Sequence, residues 1–115
     1  MQKILDDTNA GTTIGVQTAT GICTEETVSY SYPLMLASST NVEAEVVYQV
    51  LKACYENNAE LTATDKWLTD WTVERMFDPN FVIPYHDGAV RFYKEIGVWD
   101  DAAQAKQDLL LTQGC

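Results

Sequence analysis

A chain of 115 residues, 46% of them apolar, is long enough for one modest core and too apolar to be disordered. Its 17 acidic and 7 basic residues give a formal charge of −10, which repels polyanions and disfavours nucleic acid and anionic membranes as partners. Three well-separated cysteines without a CxxC, and no apolar run near the roughly 18 residues of a membrane span, leave zinc sites, redox pairs and transmembrane helices unsupported.

The N-terminus, MQKILDD, has one lysine and no apolar h-region, so no secretory signal is read there and a cytoplasmic location is expected for the chain as written. Residues 11–22, GTTIGVQTATGI, mix β-branched residues with glycines and read as an extended segment with bends at Gly15 and Gly21. In TVSYSYPLMLASS the larger side chains alternate (Val28, Tyr30, Tyr32, Leu34, Leu36), which predicts a strand over 27–37 buried mainly on one face. Pro33 has no N–H to donate and puts part of that strand at an edge or bulge. The two segments are candidates to pair as a hairpin.

Thr40 followed by Glu43 has capping-box spacing, so a long helix is expected from there to Leu61. Val47, Val50, Leu51, Cys54 and Leu61 would form its apolar stripe, with the preceding strand as the nearest layer to receive it. Trp67, Leu68, Trp71 and Met76 suggest a second helix, ended by a turn at Asp78-Pro79. Phe81 to Tyr85 reads as extended. A third helix opens at His86-Asp87-Gly88 with Ala89, Phe92, Tyr93 and Ile96 facing inward, and Gly97-Val98 fits a Schellman ending. Asp100 or Asp101 caps a last helix whose candidate buried residues are Ala102, Ala105, Leu109 and Leu110. The fold class is therefore α+β: N-terminal β segments, a short sheet or hairpin, then three to four helices. The chain is expected to form a single compact unit, with a β-rich segment over 1–39 and a helical one over 40–113.

His86 beside Asp87 invites a catalytic reading, but no nucleophile motif accompanies the pair. Asp87 reads instead as a helix N-cap with His86 packed at the helix entry. Trp67 and Trp71, one helical turn apart, suit a core or interface stripe or, less commonly, an aromatic-ligand platform. Tyr30 and Tyr32 read as sheet-face packing. Thr12, Thr13 and Gln17 lie among glycines that let a backbone approach a ligand closely, which makes them the candidate binding residues; a plain flexible connection is the alternative. No catalytic residue, metal ligand or cofactor site is read in the chain.

The segment PYHDGAVRFYKEIGVW resembles the C-terminal signature of TAXI-family solute receptors of TRAP transporters, through Pro84, His86, Gly88, Ala89, Phe92, Tyr93, Lys94, Glu95 and Gly97. VVYQVLKACYENNAEL is similar to the helix that precedes that signature in the family, through Val47, Tyr48, Leu51, Tyr55, Glu56, Asn57 and Leu61. SYSYPLMLAS is similar to its valine-rich strand, and Ala10-Gly11-Thr12 with Gly15 and Gln17 to an Ala-Gly-Thr-Tyr-x-Gly-Gln stretch. The similarity spans roughly residues 10–99 and corresponds to the last third of such a receptor, a type II periplasmic binding protein. It implies a non-enzymatic role in capturing a small carboxylate or amino-acid-like solute for a membrane permease, in the periplasm.

A receptor closes two lobes around its solute, so a portion of one lobe would act as a derived binding module or as a self-associating structural module. An apolar strand with unpaired edges recruits another chain, and a homo-oligomer, most simply a dimer, is the expectation.

Overall fold

The computed structural model describes residues 13–17, 25–31 and 34–113, with no side-chain description for 13–17 and 29–31. These residues divide into two units, one ending at Leu36 and the other beginning at Ala37. The arrangement is mixed α+β. In the first unit β1 (Thr13–Gln17) and β2 (Thr27–Ser31) form an antiparallel two-stranded ribbon, with Thr13 opposite Ser31 and Gln17 opposite Thr27.

No larger sheet forms among the described residues. The strand predicted over 27–37 is therefore too long. Its ladder ends where β1 begins, at Thr13 opposite Ser31, and residues 34–39 have no partner strand among the described residues. Val28, Leu34, Met35 and Leu36 are all at least 59% exposed, so the one-sided burial expected of this stretch is not found for them. Tyr32 and Pro33, with the bend expected at Gly21, lie outside the described residues.

The second unit holds four helices: α1 (Ala44–Glu56), α2 (Asn58–Thr64), α3 (Asp87–Glu95) and α4 (Asp101–Gln113). The capping box at Thr40 does not form. Ser39 closes a turn instead, its carbonyl accepting from Val42 N at 3.1 Å and its hydroxyl from Asn41 N at 3.3 Å, so the helix starts three residues later than the predicted N1 position would put it. The single long helix predicted to Leu61 is broken at Asn57, whose backbone N–H and side-chain Nδ2 both donate to Ala53 O. A side chain competing for a helix carbonyl is what makes asparagine a poor interior and a good end.

The helix predicted around Trp67 and Trp71 is absent. Asp65 Oδ1 accepts from Trp67 N at 2.9 Å and Asp65 O from Leu68 N at 2.9 Å, an Asx turn in place of a helical start. Only one 3-10 turn, Val73–Arg75, follows. The turn expected at Asp78-Pro79 is present: Asp78 O accepts from Phe81 N and Asp78 Oδ1 from Asn80 N.

Helix α3 is the centre of the unit. Ala89, Phe92 and Tyr93 are buried along one face, with Ile96 partly buried, as the periodicity predicts. Phe92, at 2% exposure the most enclosed side chain among the described residues, contributes about 2–3 kcal/mol by leaving water. The helix ends in the predicted Schellman motif: Val98 N donates to Tyr93 O, Gly97 N donates to Lys94 O, and Gly97 takes φ 76°. Within this unit α1 rests on α3, with Tyr48 as its one fully buried residue and Val50, expected in the core, 43% exposed.

Helix α4 is capped by Asp100, whose Oδ1 accepts from Ala103 N at 2.8 Å. Its buried residues are Ala103, Gln107 and Leu110, whereas Ala102, Ala105 and Leu109 of the predicted set are exposed. The stripe is turned about the helix axis because Gln107, a polar residue no apolar pattern would choose, is the residue that faces inward.

Candidate functional site

The stretch Pro84 to Gly88 makes long-range polar contacts in two directions, from His86 to the lead-in of α1 and from Tyr85 to α4. His86, not Asp87, is the N-cap of α3: its Nδ1 accepts from Gly88 N at 3.2 Å. Its Nε2 donates to Val42 O, 3.1 Å away, on the lead-in to α1. A carbonyl can only accept and a backbone N–H can only donate, so the ring is the neutral tautomer protonated on Nε2. Asp87 sits in the first turn, where a carboxylate suits the positive end of the helix dipole.

Gly88 lets the helices meet. A Cβ at this position would collide with the Ala44 carbonyl oxygen and lie 2.9 Å from both Tyr48 N and Val47 Cβ. The requirement here is for space, since α1's backbone occupies the place where a side chain would stand.

Past this contact the two helices are cross-linked twice. Arg91 pairs with Glu45 at 2.6 Å, and its guanidinium lies 4.0 Å from the centroid of the Tyr48 ring. The Tyr48 hydroxyl donates to Glu95 Oε2 at 2.6 Å, and that bond to a carboxylate holds the phenol's pKa above its ordinary value. Glu45 is held below the usual carboxylate range by its bond from Gln49 and then by Arg91.

Around Tyr93 of α3 the rings of Tyr85, Phe77, Phe81 and Trp99 cluster, with centroids 4.8–6.4 Å apart. Gln107 fastens α4 to this cluster. Its Oε1 accepts from Tyr85 N at 2.9 Å and its Nε2 donates to Tyr85 O at 2.7 Å, so both backbone groups of one residue are satisfied by one buried amide. The Tyr93 hydroxyl donates to Met76 O at 2.6 Å, and burial pushes its pKa well above that of a free phenol.

This arrangement positions helices and is not suited to acid–base chemistry. Both His86 nitrogens are engaged with backbone groups, so a substrate proton could reach Nδ1 only by breaking the cap of α3. Among the described residues no group of three or more His, Cys, Asp or Glu side chains is placed to hold a metal ion.

Of the predicted binding residues, Thr12 lies outside the described residues, while Thr13 and Gln17 are the first and last residues of β1, in the other unit. Trp67 is 73% exposed beneath Lys66, while Trp71 is partly buried; they do not form the expected helical stripe. Gln107 and the Tyr48–Glu95 pair were not legible as functional positions. The one hint was that Gln107 falls four residues after Ala103 and three before Leu110, on a common helix face.

A model for the NMT1-like family matches residues 6–97. No curated protein and no solved structure matches the chain. The matched span includes both strands and the α1–α3 junction and stops at the Schellman glycine, so α4 lies beyond it.

Proposed function

We propose, from the premise that this chain belongs to the NMT1-like family, a solute-binding-like family of non-catalytic proteins broadly related to periplasmic TRAP-type folds, that it is a TAXI-type solute-binding module. Its solute is a small organic anion or amino-acid-like molecule, delivered to a membrane permease, and its place of work is the periplasm. The observation that carries this reading is the use made of the signature residues. His86 and Gly88, the most reactive-looking and the least substitutable positions of the motif, serve the helix junction, as befits a receptor scaffold.

A chain of net charge −10 cannot draw an anion by its overall field. Recognition then falls to neutral donors such as hydroxyls, amides and backbone N–H groups, and Thr12, Thr13 and Gln17 are of that kind. Thermal shift with glutamate, glutamine and dicarboxylates tests the reading. A solute at a hundred times its dissociation constant stabilises the fold by about 2.7 kcal/mol, and Thr13→Ala with Gln17→Ala should abolish the shift. No shift with any of these solutes would remove the binding role.

A second reading, a self-associating module, is favoured by the apolar side chains left outside the core: Leu34, Met35 and Leu36 in one run, and Val46 and Val50 one turn apart on α1. Light scattering under reducing conditions decides it. A mass near 12.9 kDa would rule it out, and twice that mass would support a dimer.

A further inference from the structure

We infer that the His86 imidazole is a proton-sensitive latch, able to cap the N-terminus of α3 and hold the lead-in of α1 at the same time only while the ring is neutral. The device goes beyond solute binding and does not depend on it. It rests on the two bonds of one ring: Nδ1 accepts from Gly88 N at 3.2 Å, and Nε2 donates to Val42 O at 3.1 Å. Val42 closes the turn begun at Ser39, two residues before α1 starts and five after the chain enters the helical unit at Ala37.

Adding a proton places a hydrogen on Nδ1, so that two N–H groups face one another across the cap. The bond to Val42 survives, but α3 loses its only side-chain cap and gains a positive charge at the positive end of its dipole. Rotating the ring to relieve the clash would carry Nε2 away from Val42. Either way one end of the latch opens. Gly88 makes the opening consequential, because α1's backbone is seated directly against it.

The charged groups nearest the latch along the two helices are Glu43 and Glu45 at the start of α1, and Asp87 and Arg91 on α3; Lys52, Glu56, Lys94 and Glu95 lie farther along them. Lys106 and Asp108 of α4 flank Gln107, which grips the neighbouring Tyr85. Glu45 and Arg91 are engaged with each other. His86 is the one histidine in the chain, so imidazole titration has a single origin.

The test follows the full chain by NMR from about pH 8 to about pH 5, the range in which histidine changes charge. Ring nitrogen shifts report the tautomer, and hydrogen exchange of the Gly88 amide, corrected for its intrinsic pH dependence, reports the cap. The neutral ring should be protonated on Nε2 alone. As it takes its second proton, Gly88 opening should rise about fivefold, the size of effect expected from one lost N-cap bond.

In His86→Asn the amide oxygen caps without titrating while every carboxylate remains, and the rise should vanish. Unchanged Gly88 protection as the wild-type ring protonates, or the same rise in His86→Asn, would overturn the proposal. Should His86→Asn fail to fold, ring titration and Gly88 protection in the wild-type chain decide alone.

Discussion

Helices α3 and α4 reach the same aromatic cluster by different means. Helix α3 presents an apolar face, Ala89, Phe92, Tyr93 and Ile96, and would be placed by burial alone. Helix α4 offers only Ala103 and Leu110 and is located by a buried amide that satisfies both backbone groups of Tyr85. Burial is non-directional and tolerates small rotations of a helix. Two opposed hydrogen bonds do not. The first helix is thus held mainly by area, and the second by a polar pin whose loss would strand two partly buried groups.

Truncating each helix at its own anchor should separate the two mechanisms. Phe92→Ala removes the most enclosed ring of the unit and should cost about 4 kcal/mol in urea denaturation, as large-to-small core changes of this type do. Gln107→Leu keeps the volume and adds apolar surface, yet should cost about 2 kcal/mol, because the partly buried Tyr85 N and O would lose their partners. If Gln107→Leu were neutral or stabilising, α4 would be held by area like α3 and the contrast would fail. Asp100→Ala removes the side-chain acceptor at the start of α4 and should cost about 1 kcal/mol, measured in the same way.

The same contrast explains what could be read ahead of the structure. The stripe of α3, its Schellman end, the Asp78 turn and the Asp100 cap all depend on residues within a few positions of one another, and all were legible. The start of α1 was not, since Ser39 captured the Asn41 and Val42 amides before Thr40 could cap. Asp65 likewise diverted the Trp67 segment into an Asx turn. For α4, apolar spacing pointed to Ala102, Ala105 and Leu109, because nothing local shows that Gln107 finds its partner at Tyr85, twenty-two residues away.

The signature's roles were legible only in part. His86 was placed at a helix entry, but its bond to Val42 spans 44 positions. The spatial demand on Gly88 comes from Ala44, Val47 and Tyr48 and leaves no trace in the motif itself. Among the proposed binding residues, Thr13 and Gln17 are placed at the two ends of β1.

The central claim, that the Pro84–Ala89 signature exists to seat one helix backbone against another, is tested most directly by Gly88→Ala in urea denaturation. A methyl group at this position meets the Ala44 carbonyl and the backbone of Tyr48, neither of which is a side chain free to move aside. The account predicts a loss of about 3 kcal/mol, the upper part of the usual range for overpacking. A change within about 0.5 kcal/mol, the size of an ordinary surface substitution, would contradict it.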